Sequence, residues 1–395
     1  MTTGVRTAWV LLPKVGGLRV VDACPAQAAG PAASERIEAL DGLRGVLAMM
    51  VVIAHYFGEV PNGVSAVLFG WIAVKVFFVL SGFLMARIIL AHVGTPGFFQ
   101  TFYMRRLTRT LPVYLFTVAV VFLAASVFHT EAWMQAERNL PLWSYVTLTQ
   151  PFVMIARGDY GSEWLTPTWT LTVEEQFYLI APVLCLLVPR RHLLLALGAL
   201  VGASVLFRAA LVGGDEASFM AANITLPGAA HSMFLGMIAA KVADSRGMAW
   251  KGSDQALRAL PVILLAFVFL LRAAGGKDAT WFHVAGMPLI SLAAAIYLLS
   301  IVRGAPEADR LTSPALKFLG RISYGTYLLH MPVLGLMHGI LLAGKPDIAT
   351  VAQVIVTLAA VPATIGTAWI VHRTIEQPMI EWGRKWSFAS KRASA

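Results

Sequence analysis

The sequence predicts an all-α, polytopic membrane protein with about ten transmembrane helices in one bundle. Three observations carry this prediction. Hydrophobic types make up 58% of the 395 residues and charged types only 13%, with a mean hydropathy of +0.71; a soluble domain is roughly 25% charged. Apolar segments recur along the whole chain, at 40–57, 66–89, 110–128, 172–188, 192–210, 226–241, 258–273, 281–302, 317–339 and 350–371, where a span needs about twenty such residues. Lys and Arg are unevenly shared between the connections. With the N-terminus in the cytoplasm, the inner stretches hold 24 of the 31 and the outer ones six, leaving Lys75 within a span. This bias is that of a multi-pass protein of a bacterial inner membrane with both termini inside.

Taken in order, residues 1–35 carry a short apolar run, AWVLLPKVGGLRVV, too brief to span and without a cleavage pattern. They read as a cytoplasmic arm. Residues 36–378 form the membrane domain. Within it, 226–241 is the weakest segment and reads as a tilted or broken helix buried in protein. The stretch 129–171 is the largest outer connection, and its LWSYVTLTQPF suits partial re-entry. Residues 379–395, with WGRKWSFASKRASA, are a basic tail suited either to anionic headgroups or to plain solubility. The net charge of +10 marks inner loops rather than a nucleic-acid partner. Cys24 and Cys185 suggest no disulfide framework, and no metal-ligand spacing is present.

Ionisable residues in apolar segments face a cavity or a partner, because lipid penalises them. EALDGLRGVLAMMVVIAHYFG places His55 eleven residues after Arg44. That is about 16 Å of helix and close to three turns, so the two share a side. An imidazole there can take a proton from a hydroxyl, or simply bond a carbonyl. In FYMRRLTRTLPVYLF, Arg106 and Arg109 lie three apart on one helix face beside Arg105. Such a fork suits phosphate or carboxylate, although arginine at an inner boundary is routine. Lys75 either snorkels or bonds within the bundle, and Ser81 in SGF reads as a small packing residue. SEWLTPTWTLTVEEQFYL brings Glu174 and Glu175 together with Thr170 and Thr172. Its Trp164, Trp169 and Tyr178 also fit an aromatic belt. His231, then Arg321, Ser323, Tyr324 and His330, then His372, Arg373 and Glu376 read first as interhelical bonding groups.

Six motifs in order, ALDGLRGVLAMMVVIAHY, FFVLSGFLM, RRLTRTLPVY, WTLTVEEQFYL, FLGRISYGTYLLHMP and IEQP, closely resemble the integral-membrane acyltransferase family 3, which includes bacterial polysaccharide O-acetyltransferases. The resemblance covers about residues 36–378. It implies a ten-helix core, an acyl-coenzyme A donor from the cytoplasm, acetyl by default, and no tightly bound cofactor. It implies an acceptor hydroxyl on a glycan or glycoconjugate presented on the far side. The family's arginine–histidine pattern falls on Arg44 and His55, its paired arginines on Arg106 and Arg109, and its glutamate on Glu174. His55 and Glu174 are therefore the expected catalytic pair, with His55 as general base, and Arg44, Arg106 and Arg109 the donor-phosphate site. Lys75, Trp169, Glu175, Tyr178, His231, Tyr324 and His330 are expected to support substrate or structure. Where many relatives carry an aspartate, His231 stands in AAHSMFLG. A macrolide or other small glycoside as acceptor, a non-enzymatic transporter, direct against covalent transfer through His55, and homodimerisation stay open.

Overall fold

The computed structural model describes residues 37–64, 67–244, 254–274 and 280–388. The arm 1–35 and the last seven residues of the tail lie outside them. The described helices are α1 (Glu38–Phe57), α2 (Val67–His92), α3 (Phe98–Val127), α4 (Leu142–Val146), α5 (Gln150–Arg157), α6 (Trp169–Leu187), α7 (Leu193–Leu211) and α8 (Glu216–Ile224). They continue with α9 (Leu226–Asp244), α10 (Asp254–Ala274), α11 (Met287–Val302), α12 (Glu307–Arg310), α13 (Pro314–Leu342), α14 (Val351–Val371) and α15 (Gln377–Gly383). Ten helical stretches among the described residues are long and apolar enough to cross a membrane.

Local sequence sets several of these boundaries. Ser313 accepts a hydrogen bond from the Leu316 N–H ahead of Pro314 at the first position of α13. Thr350 and Gln353 form a reciprocal capping box at the start of α14. The third helix begins at Phe98, twelve residues before its apolar run, so Arg105, Arg106 and Arg109 sit inside a continuous helix of 30 residues. Hydropathy registers only the lipid-compatible part of that helix. The weak sixth segment, 226–241, is not itself broken: it lies inside the continuous α9, and the break falls just before it. Thr225 is extended (φ −103°, ψ 159°) between α8 and α9, and Pro227 follows, which has no N–H to continue the ladder.

Helix pairs approach through glycine. A Cβ on Gly82 would overlap the Met233 carbonyl, and one on Gly236 the Val79 carbonyl, so α2 and α9 touch backbone to backbone. Gly320 of α13 meets Asp41 of α1 in the same way. In the 129–168 connection, Trp133 and Trp164 stack with centroids 6.3 Å apart and fill the space above Gly339 and Gly335 of α13. On α4 and α5 the side chains of Trp143, Val146 and Phe152 stay more than half exposed, as an apolar medium would favour.

Candidate active site

Helices α1, α2, α3, α6 and α13 line one cavity of about 890 Å³, counting the open space at its mouth. Arg44 from α1 and Arg106 and Arg109 from α3 line it together, with Glu174 and Tyr178 from α6 and Tyr324 from α13. The three arginines lie within electrostatic range of one another. Arg44 is 3.7 Å from Asp41, one turn earlier on its own helix. Among the described residues no hydrogen bond ties up the guanidinium of Arg106 or Arg109. The remaining wall is largely apolar, with Val74, Phe77, Phe78 and Leu328. Such a chamber suits a ligand with an anionic head and an uncharged stem.

The neighbouring polar groups are oriented by specific bonds. Ser81 and Tyr178 hydroxyls lie 2.6 Å apart, and Ser81 also sits against Glu174. Ser81 thus lines the cavity instead of only easing helix approach. Glu175 is not in the lining, but it accepts a hydrogen bond of 2.7 Å from Thr110, which is, and it stands within electrostatic range of Arg106. Tyr324 donates to the Thr110 carbonyl at 2.7 Å. Arg105 turns outward, donating to the Trp386 carbonyl at 2.7 Å, with its guanidinium 5.0 Å from the Phe388 ring. Residues 386–388 thereby pack on α3.

His55 is not in the cavity lining. Its Nδ1 is 2.9 Å from the Val51 carbonyl and 3.4 Å from His330 Nε2, and its Nε2 is 3.5 Å from Glu59. His330 is fully buried and its Nδ1 lies 2.7 Å from the Tyr327 carbonyl. Tyr327 joins the two regions. Its ring lines the arginine cavity, and its hydroxyl bonds Thr170 at 2.9 Å, while its backbone holds His330. Glu174 thus shares a chamber with the arginines, and the partners of His55 are Glu59 and His330.

Other expected support residues lie elsewhere. Trp169 packs edge-on to Phe78 at 6.0 Å. Lys75 is wholly buried with no hydrogen-bond partner for Nζ among the described residues, 5.9 and 5.8 Å from the Trp71 and Phe78 ring centroids. His231 is also wholly buried, its Nδ1 3.3 Å from the Ser204 hydroxyl. His372 Nδ1 lies 2.8 Å from the Glu376 carboxylate. Sequence reading passed over Tyr327 and Glu59. Each had a local signal: Tyr327 stands one turn after Tyr324, and Glu59 stands four residues after His55.

No solved structure matches the chain. It is 24% identical over 379 residues to O-acetyltransferase OatA of Staphylococcus aureus (strain MRSA252), covering 90% of this chain and 59% of that protein. With OatA of strain NCTC 8325 / PS 47 it shares 24% identity over 369 residues, 88% of this chain and 57% of that one. A protein of strain COL is likewise 24% identical over 370 residues, 88% of this chain and 58% of its own length. The chain thus spans less than three-fifths of the length of the curated relatives it matches. Residues 37–373 match the acyltransferase domain of the acyltransferase-3 family, and the chain belongs to that family.

Proposed function

We propose that this membrane acyltransferase moves an acyl group, acetyl by default, from cytoplasmic acyl-coenzyme A to a glycan or glycoside hydroxyl on the opposite side. The observation that carries the reading is the cavity itself: three neighbouring arginines line one largely apolar chamber, and its Tyr327 holds His330, which meets His55. The relatives' name as O-acetyltransferases supports a hydroxyl acceptor. The Lys and Arg bias puts the Glu38 end of α1 in the cytoplasm, where the donor pool is.

Arg44, Arg106 and Arg109 hold the nucleotide phosphates. The pantetheine stem extends along the apolar wall and brings the thioester toward Tyr327. An acceptor hydroxyl gives its proton to His55 as its oxygen attacks the thioester carbonyl. The C–S bond then breaks, and coenzyme A leaves as thiolate and takes the proton from the imidazolium. Positioned general bases contribute about 10²–10⁴ in rate. Only the acyl group crosses, so the donor never leaves the inner side. Glu174, beside the arginines, lines the donor chamber and orients Ser81 and Tyr178.

His55→Ala in lipid nanodiscs tests the reading. Transfer from acetyl-coenzyme A should be lost while calorimetry still records coenzyme A binding. Full activity in that variant would remove His55 from the chemistry.

A further inference from the structure

We infer that His330 and Glu59 are positioning residues for His55: His330 fixes its imidazole with the proton on Nδ1, leaving Nε2 as the accepting atom, and Glu59 holds the positive charge that forms there. The inference deepens the acyl-transfer reading and rests on it.

The tautomers follow from the acceptors. His330 Nδ1 is 2.7 Å from the Tyr327 carbonyl, which can only accept, so Nδ1 carries the hydrogen. A neutral imidazole has one N–H, so His330 Nε2 presents a lone pair. That lone pair faces His55 Nδ1 at 3.4 Å. The other neighbour of His55 Nδ1 is the Val51 carbonyl at 2.9 Å, again an acceptor. Two acceptors face Nδ1, at 2.9 and 3.4 Å, against the Glu59 carboxylate at 3.5 Å from Nε2, and the nearer pair places the His55 proton on Nδ1. The bare nitrogen is then Nε2, on the side away from His330.

His330 is well placed to impose this. It is fully buried, its ring centroid lies 4.9 Å from that of His55, and Tyr56 bonds its backbone carbonyl at 2.9 Å. Tyr56 is itself pinned to Thr364 at 2.6 Å. Glu59 acts at the other nitrogen. It follows α1 directly, its N–H bonds the Ala54 carbonyl at 3.1 Å, and its carboxylate stands 3.5 Å from His55 Nε2. While Nε2 is bare, the carboxylate has no hydrogen to accept there. Once Nε2 takes the acceptor's proton, an ion pair forms on that side, and the Nδ1–H bond to His330 becomes charge-assisted on the other. Both interactions strengthen only as the reaction proceeds, which is the condition for raising kcat. The Glu59 side chain is 40% exposed and that of His55 16%, so solvent weakens the pair and its share is modest.

The experiment uses the full chain in nanodiscs with 15N-labelled histidine. Thiol release from acetyl-coenzyme A is followed with water or methyl glucoside as acceptor. Subtracting the His55→Gln spectrum isolates the His55 nitrogens among the nine histidines. The wild type should show the Nδ1–H signature, and His330→Leu should lose it. His330→Gln, which returns an acceptor near Nε2, should restore the signature and most of kcat. Glu59→Gln, a substitution at an exposed site, should lower kcat about fivefold with KM for acetyl-coenzyme A and methyl glucoside unchanged. An Nε2–H signature in the wild type overturns the inference. So does unchanged kcat in both Glu59→Gln and His330→Leu while His55→Gln is inactive, a result that leaves the base reading standing. A rise in KM for methyl glucoside without a change in kcat also overturns it, since Glu59 would then bind acceptor. Full activity in His55→Gln is a different failure, that of the base reading itself.

Discussion

Replacing Arg208 by methionine should destabilise the protein without weakening donor binding. Arg208 is fully buried on α7, and its guanidinium serves the break between α8 and α9. It donates to the carbonyls of Ala222 and Gly228, to the Asn223 side chain at 3.1 Å, and twice to the His283 carbonyl, at 2.9 and 2.6 Å. The last carbonyls of α8 have no helical partner, and a helix end in an apolar medium must find one. Each buried acceptor left bare costs about 1–3 kcal/mol. Three carbonyls set a loss of roughly 3–9 kcal/mol, and breaking a buried charged network, at about 3–5 kcal/mol, sits in its lower part. Relief of the arginine's own desolvation offsets part of it, so about 3 kcal/mol is expected. At roughly 2–4 °C per kcal/mol this lowers Tm by about 6–12 °C. Scanning fluorimetry in nanodiscs measures the shift, and calorimetry at low temperature should give wild-type coenzyme A affinity, because Arg208 does not line the cavity. A Tm within about 2 °C of wild type would refute the capping argument.

Two further outcomes follow from the arginine cavity and the charge bias. Arg106→Lys keeps the charge but loses the planar fork, and coenzyme A should bind about tenfold more weakly by calorimetry, a loss of roughly 1.4 kcal/mol; unchanged affinity would separate Arg106 from the phosphates. With Cys24 and Cys185 replaced, single cysteines at Gln100 and Gln135 report topology: an impermeant maleimide on intact cells should label position 135 alone, and labelling of position 100 would invert the proposed direction of transfer.

Helix number was readable because a lipid-crossing helix writes its length into the sequence as an apolar run. Its ends were less readable. Hydropathy missed the first twelve residues of α3, because the arginines there are sheltered by the cavity and by residues 386–388. The shared face of Arg106 and Arg109 followed from their spacing of three. Which of two adjacent glutamates enters the cavity did not, since it depends on Thr110 of another helix taking Glu175. The partner of His55 was hidden for a similar reason. His330 lies 275 residues away in sequence, and nothing in one chain's periodicity ties the two together. Glu59 was within reach of the i, i+4 rule, but it stands beyond the apolar run and so escaped a search confined to spans.

The two buried arginine sites separate structure from chemistry by what their donors already hold. Arg208 spends its guanidinium on the carbonyls of Ala222, Gly228 and His283 and on the Asn223 side chain, which ties the α8–α9 junction to the residues before α11. Arg106 and Arg109 stand in a cavity without such acceptors among the described residues. Sequence alone gives both sites much the same signature, arginine close to the end of an apolar segment. Helix α2 divides them. Val74, Phe77, Phe78 and Ser81 face the cavity, while Gly82 presses against α9 and Lys75 is wholly buried. A helix enclosed on both sides has no single apolar stripe, so its pattern could not reveal which face bordered the donor chamber. The cavity's lining reveals it, because there the guanidiniums of Arg106 and Arg109, without a hydrogen bond among the described residues, meet open space.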